Sequence, residues 1–116
     1  MRIIEEWQRV IHANNRAKGF YDGPKAESVH TKLLLAIGEI SEAVEELRSG
    51  HEPTDIYFTE GSAPGSRKPE GFGIELADAI IRLLDIAEFE GIDMEYCMTL
   101  KHDYNLTREF RHGKVF

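Results

Sequence analysis

The chain has 116 residues, of which 21 are acidic and 14 basic, giving a formal net charge of -7. A chain of this length builds one domain around one core, which we assign to residues 1–116. The negative charge repels the phosphate backbone of DNA and RNA, so a nucleic-acid polymer is disfavoured as a partner.

Two helices are predicted in the first half of the chain from apolar residues at spacings of three and four. The first spans residues 3–18 and is closed by Gly19 before a turn-like segment. The second spans residues 27–48 and ends at Ser49 and Gly50. Its apolar stripe consists of Leu33, Ile37, Ile40, Val44 and Leu47.

Residues 51–73 are rich in proline, glycine, serine and charge, and they sustain neither a helical nor a strand period. A connection of this length inside a compact domain is typical of a lid, a binding loop or a disordered segment. We therefore predict a long loop or lid, in which residues 56–58 form either an ordered edge that covers a site or part of a mobile surface loop.

Two further helices are predicted over residues 74–90 and 94–110, the first of them stopped by Gly91. Because no segment alternates long enough to be a strand, the predicted class is all-α, a bundle of four to five helices. A bundle this small buries a limited share of its surface, so we expect a second copy to complete its core.

Two acidic pairs stand out on the second and third predicted helices. Glu39 and Glu42 are three residues apart, as are Glu75 and Asp78, so each pair shares one helix face. If the two helices face each other, four carboxylates form a site of the kind that Mg²⁺ or Mn²⁺ prefers.

A solvated face is the competing interpretation for the second helix. By helical-wheel geometry Glu39, Glu42 and Glu46 lie roughly opposite the apolar stripe, where exposed acidic residues are ordinary. On this view the pair Glu39 and Glu42 binds nothing.

The third helix is apolar around most of its circumference and is therefore predicted to be buried. Glu75, Asp78, Arg82 and Asp85 fall within one narrow wedge of it. Carboxylates held together in a low dielectric must protonate, bind a cation or pair with a base. The alternative to a metal is a salt-bridge network centred on Arg82.

A basic stripe is predicted near the end of the chain, where Lys101, Asn105, Arg108 and His112 would project along one side of a continuous helix. Such a side offers charge and hydrogen-bond donors to a polyphosphate. The alternative is an ordinary exposed stripe, since the helix dipole favours basic residues near a C-terminus.

Location is predicted from what the sequence lacks. Cys97 is the single cysteine, and the early charges Arg2, Glu5 and Glu6 interrupt any apolar run of a signal peptide. The longest apolar run, residues 33–37, is far shorter than the roughly 20 residues that cross a bilayer. We expect a cytoplasmic protein without a membrane span.

Three stretches, residues 38–43, 74–79 and 101–114, resemble the MazG-like nucleotide pyrophosphohydrolases of the all-α NTP pyrophosphatase group. Trp7 and residues 18–20 resemble the start of that domain more weakly. The resemblance implies Mg²⁺, with Mn²⁺ as a substitute, and a homodimer or tetramer. It also implies four metal ligands, namely Glu39, Glu42, Glu75 and Asp78.

By the same resemblance, the substrate is a nucleoside triphosphate that is hydrolysed to a monophosphate and pyrophosphate, with removal of non-standard nucleotides as one role. Lys101, Asn105 and Arg108 would contact phosphates or sugar, and Tyr104 would do so or merely pack. Glu39 and Glu42 are both candidates for accepting the proton of the attacking water. The sequence does not choose between them.

One departure keeps a second interpretation open. Some branches of the family carry the leading glutamate three residues earlier, where this chain has Ala36. We prefer Glu39 with Glu42, because the run Gly-Glu-Ile-Ser-Glu-Ala resembles the branch that uses these positions. The alternative function is a catalytically silent helical module that binds a nucleotide or metal, or assembles with another protein.

Overall fold

The fold was analysed in a computed structural model that describes residues 2–23 and 28–113, without the side chains of residues 112 and 113. Over these residues the chain is mostly helical, in agreement with the predicted class. The elements are α1 (Ile3–Ala17), α2 (Val29–Arg48), β1 (Tyr57–Glu60), β2 (Arg67–Glu70), α3 (Phe72–Phe89), α4 (Met94–Leu106) and a 3₁₀ turn (Phe110–Gly113).

The observed helix ends follow from local hydrogen bonds. The hydroxyl of Ser28 accepts the backbone N–H of Thr31 at 3.2 Å and caps α2, whose predicted start at Glu27 lies outside the described residues. The fourth helix is shorter than predicted. Thr107 turns its N–H back to the carbonyl of Tyr104, which tightens the last turn and ends α4 at Leu106.

A hairpin occupies part of the predicted long loop, and its first strand overlaps the possible ordered edge at residues 56–58. β1 pairs antiparallel with β2, and Tyr57 lies opposite Glu70. Gly71 follows with a φ of 140°, and a Cβ there would lie 2.3 Å from the carbonyl oxygen of Asp55. Only glycine permits this close approach, which holds the base of the hairpin against the start of α3.

The core lies where α3 packs against α2 on one side and α1 on the other. Glu39 pairs with Arg82, while Glu46 lies near Glu75 further along, so α2 and α3 run antiparallel. Small side chains allow the two helices to approach closely. The buried apolar residues are Ile11, Ala36, Ala43, Ala79, Leu84, Ile86 and Ala87.

Gln8 and Glu95 fasten α4 to α1. The buried Gln8 amide donates to the carbonyl of Ile92 at 2.8 Å and accepts the N–H of Met94 at 3.0 Å. A carboxylate oxygen of Glu95 accepts the N–H groups of Ile4 at 2.5 Å and Glu5 at 3.1 Å. Glu95 therefore satisfies two of the unpaired donors at the α1 N-terminus, where a negative charge is also favoured.

The apolar stripe of α2 is on the outside of the single chain. Ile37 and Ile40 are 59% and 50% exposed, and Leu33, Val44 and Leu47 are also exposed. The expectation of a fully buried α3 is likewise wrong for this chain, because Leu76, Ile80 and Leu83 are exposed. The radius of gyration is 17.1 Å, against about 13 Å for a compact domain of this length.

Among the described residues, none of the helices has both the length and the apolar composition needed to cross a bilayer.

Candidate functional site

The face that α2 turns to α3 carries acidic residues between small ones. Ala36 and Ala43 are 3% and 2% exposed, and Glu39 and Glu46 lie on the same side at helical spacing. The side chains of both glutamates are only 12% exposed. The prediction of a solvated acidic face is therefore wrong for Glu39 and Glu46, although Glu42 is exposed. That interpretation assumed that the apolar stripe of α2 faces the core of this chain, whereas the stripe is exposed.

Three of the four predicted metal ligands come together between α2 and α3. Glu39, Glu75 and Asp78 each offer a carboxylate oxygen, and these atoms all lie within 4.8 Å of one another. We call this group the interhelical cluster. Glu75 is only 7% exposed, and its Oε2 atom has no hydrogen-bond partner among the described residues. Such an orphaned buried oxygen requires a proton or a cation.

Burial and crowding of like charges disturb the pKa values of the interhelical cluster. Burial, followed by the neighbouring carboxylates of Glu42 and Glu39, raises the pKa of Glu75 to about 8. Burial and the charge of Glu39 raise the pKa of Asp78. Glu75 therefore holds a proton at neutral pH unless a cation replaces it.

Arg82 compensates one carboxylate of the cluster. Its Nε donates to Glu39 Oε1 at 3.0 Å. Burial opposes the ionisation of Glu39. The hydrogen bonds with Arg82, Glu75 and Glu42, together with the Arg82 charge, outweigh burial and lower the Glu39 pKa overall. The alternative of an Arg82-centred network accounts for Glu39 in this way. It leaves the Oε2 atom of Glu75 without a donor.

Glu42 lies beside the interhelical cluster rather than within it. Its charge raises the pKa of Glu75, so the two carboxylates are close. Its side chain is exposed, however, and its oxygens are not among those that lie within 4.8 Å of one another. Ala36, the other possible position of a leading ligand, is buried against α3 and has no ligand atom.

Two residues that we did not predict as ligands, Glu46 and Glu70, also approach Glu75. One oxygen of each and one of Glu75 lie within 4.8 Å of one another. Glu46 was detectable, since it follows Glu39 by seven residues and so shares its helix face. Glu70 was not detectable, because the hairpin that brings it to α3 was itself not predicted.

A cavity of about 460 Å³ opens beside the interhelical cluster. This volume is in the range of small-ligand sites. Glu39 and Asp78 lie at one end of the cavity, and Lys32 and Asp85 lie at the other. Lys32 is seven residues from Glu39 along α2, and Asp85 is seven residues from Asp78 along α3. The two ends are therefore about 10 Å apart. The other lining residues are Asn15, Phe20, Leu35, Ile81, Arg82 and Ile86.

The far end of the cavity is built by a buried polar network. Tyr21 donates its hydroxyl hydrogen to Asp85 at 2.5 Å, and His12 Nδ1 lies 2.8 Å from the other Asp85 oxygen. Lys32 Nζ lies 3.3 Å from the centroid of the Tyr21 ring. Burial and the contact with Asp85 raise the Tyr21 pKa, which keeps its hydroxyl protonated as a donor. The network fixes the segment after α1 against α3.

The predicted basic stripe does not form on one continuous helix, because α4 ends before Arg108. Lys101 Nζ and the guanidinium carbon of Arg108 lie 5.2 Å and 5.6 Å from the centroid of the Tyr104 ring. Asn105 Oδ1 is buried without a partner among the described residues, and the His112 side chain lies outside them. The described residues that line the cavity come from α1, α2, α3 and the segment after α1, not from this stripe.

Comparisons with models of protein families, with curated proteins and with solved structures find no match to this chain. The features of this chain that bear on function are therefore the geometry and charge of the interhelical cluster and its cavity.

Proposed function

We propose that this chain is a divalent-cation-dependent hydrolase that converts nucleoside triphosphates, or their deoxy forms, to monophosphates and pyrophosphate. The observation that carries the proposal is the buried Glu75, whose orphaned oxygen lies in a group of three carboxylates beside a cavity. A buried carboxylate crowded by two others is stabilised when a hard cation binds the group.

The residues present fit Mg²⁺, with Mn²⁺ as a substitute, because the donor set consists of carboxylate oxygens alone. Glu39, Glu75 and Asp78 would hold the ion, and Glu42 is close enough to Glu75 to join them. When bound, the ion supplies charge neutralisation for the phosphate chain and a lowered pKa for an attacking water.

The chain's own groups have further parts in this proposal. Glu42 is the exposed carboxylate next to the cluster, so solvent reaches it and it can accept a proton from water. Glu39 is already bonded to Arg82, which lowers its pKa and makes it the weaker base. Arg82 also lines the cavity, where its charge favours a polyphosphate. We therefore favour Glu42 as the base.

The test is to incubate the chain with Mg²⁺ and a panel of canonical and modified nucleoside triphosphates, separating products by ion-exchange chromatography. We expect monophosphate and pyrophosphate. Glu75→Gln and Glu42→Gln should each lower the rate at least ~100-fold, since even changes in partners of metal ligands lower activity 10–100-fold. Glu45→Gln, an exposed change on the same helix, should leave the rate unchanged.

A second candidate, a catalytically silent nucleotide- or metal-binding module, is favoured by one specific observation. Lys101, Asn105 and Arg108, which would steady the phosphates, are not among the described residues around the cavity. Binding of a nucleotide with Mn²⁺ in calorimetry, without product from any nucleotide, would establish this candidate and overturn the hydrolase.

We also propose that the chain self-associates. The apolar stripe of α2, together with Leu76, Ile80 and Leu83 of α3, is exposed in the single chain. Monomeric proteins rarely expose large apolar patches, so these rows of exposed apolar side chains favour a partner that covers them. A closed homo-oligomer, dimer or tetramer, buries such a face most simply.

A further inference from the structure

A second group of carboxylates lies where the hairpin meets the helices. Glu46 from α2, Glu70 from β2 and Glu75 from α3 offer oxygens that all lie within 4.8 Å of one another. We call it the hairpin cluster. Glu75 belongs to both clusters, whereas Glu46 and Glu70 have no part in the proposed hydrolytic site.

Two members of the hairpin cluster have hydrogen-bond or ion-pair partners. The Tyr57 hydroxyl lies 2.8 Å and 2.9 Å from the two Glu46 oxygens and donates its single proton there. Lys68 Nζ lies 3.3 Å from Glu70 Oε1, but the Lys68 side chain is 65% exposed and its charge is screened by water. Thr59 Oγ1 also donates to Glu70 Oε1 at 3.3 Å, and His51 Nε2 lies 3.8 Å from Glu46 Oε2. Each carboxylate has about four lone-pair positions, so positions remain for an ion.

The third member, Glu75, distinguishes a cation site from a polar latch, by which we mean polar contacts that only hold the hairpin in place. A latch formed by Tyr57, Glu46 and Glu70 would hold the hairpin on α2 without any ion. It would still leave Glu75, which is 93% buried and offers an oxygen within 4.8 Å of one oxygen of each, with an Oε2 atom that no donor among the described residues reaches. Without an ion, Glu75 must hold a proton, and the repulsion between Glu46 and Glu70 remains. A cation between the three carboxylates satisfies that atom and offsets the repulsion.

We infer that Glu46, Glu70 and Glu75 form a second divalent-cation site, with Glu75 shared between it and the interhelical cluster. The all-oxygen donor set fits a hard ion such as Mg²⁺ or Mn²⁺ rather than a softer metal. Tyr57 orients Glu46 for this role, as hydrogen-bond partners of ligands commonly do. The site also ties the hairpin to both helices, so its occupancy stabilises the hairpin's position.

The experiment counts Mn²⁺ ions bound per chain, by calorimetry and by loss of the free-Mn²⁺ electron paramagnetic resonance signal. We expect two ions on the unaltered chain. Glu70→Gln should remove one ion or weaken its binding at least ~10-fold. Glu46→Gln should have the same effect. This second variant keeps an acceptor for Tyr57, so it tests the site even if Glu70→Gln impairs folding. Glu60→Gln, an exposed change in the same hairpin, should keep both.

The readout is binding, so it does not depend on turnover. Asp78→Asn separates the two sites, because Asp78 belongs only to the interhelical cluster. If Asp78→Asn removes an ion while Glu70→Gln and Glu46→Gln remove none, the second site is overturned and the first stands. If only the Glu70 and Glu46 variants lose an ion, the second site stands and the metal site of the proposed hydrolase falls.

Discussion

Glu75 is the residue on which both clusters depend, and its protonation links pH to stability. Its pKa is raised to about 8 in the folded chain, from an ordinary value near 4.5. The folded state therefore holds this proton more tightly than the unfolded state. It follows that the stabilising contribution is complete at low pH and is lost as the pH rises from about 4.5 through 8.

We predict that the metal-free chain has a lower free energy of unfolding at pH 8.5 than at pH 5.5. Urea unfolding in the presence of EDTA measures this. Glu75→Gln, which mimics the protonated carboxyl, should reduce the difference, and excess Mg²⁺ should restore stability at the higher pH. An equal pH dependence in the Glu75→Gln variant would show that other groups cause it.

At the same scale, Glu39 shows how far a sequence can predict a site. Helical periodicity predicted that Glu75 and Asp78 share a face, but whether Glu39 meets them depended on the two helices facing each other. The partner of Glu39 was not predictable. Arg82 was placed in the wedge of α3, but only the antiparallel packing of α2 on α3 decides that it reaches across to Glu39.

At the scale of elements, the four helices were predictable and the hairpin was not. Helices of this length repeat their apolar period several times, whereas β1 and β2 have four residues each and little apolar character. β2 even contains Pro69, which lacks the N–H that a strand ladder uses. The hairpin is held instead by tertiary contacts, such as the one between Tyr57 and Glu46, that no local pattern encodes.

The joint between α1 and α4 supports a prediction about Gln8, which is 2% exposed. Gln8→Leu keeps similar bulk but leaves the N–H of Met94 and the carbonyl of Ile92 without these partners. An unsatisfied buried polar group costs about 1–3 kcal/mol, so we expect a loss of ~2–4 kcal/mol in the free energy of unfolding by urea.

Asn14→Leu is the matched control, since Asn14 is exposed on the same helix and its side chain makes no described bond. A loss in the Gln8→Leu variant no larger than in this control would mean that water replaces the lost hydrogen bonds. In that case the joint would depend on Glu95, which accepts two N–H groups of α1.

At the scale of the whole molecule, the two faces of α2 are oriented in the reverse of the usual way, in which the apolar face packs inside the chain. The face with Glu39 and Glu46 is inside the chain and the apolar stripe is outside. A periodic pattern identifies two faces but cannot say which one a single chain buries. The inner face is stabilised by cations in our proposals, and the outer face by a second copy of the chain.

Ile37 is the residue with which to test that outer face, because it is 59% exposed, more than any other residue of the stripe. We predict that light scattering after size-exclusion chromatography finds a mass of at least two chains. Ile37→Glu should weaken self-association by ~100-fold or more, because an unpaired charge buried in an apolar interface costs several kcal/mol.

Ile37→Leu, which conserves volume and apolar character, should leave the association unchanged. A single-chain mass at every concentration would overturn the proposal. An Ile37→Glu variant that associates as tightly as the Ile37→Leu variant would instead place the contact on another exposed apolar face, such as that of α4 with Tyr96, Leu100 and Tyr104. A folded, monomeric Ile37→Glu variant beside an associated Ile37→Leu variant would establish that the α2 stripe is covered by a second copy, because Ile37 is largely exposed in the single chain.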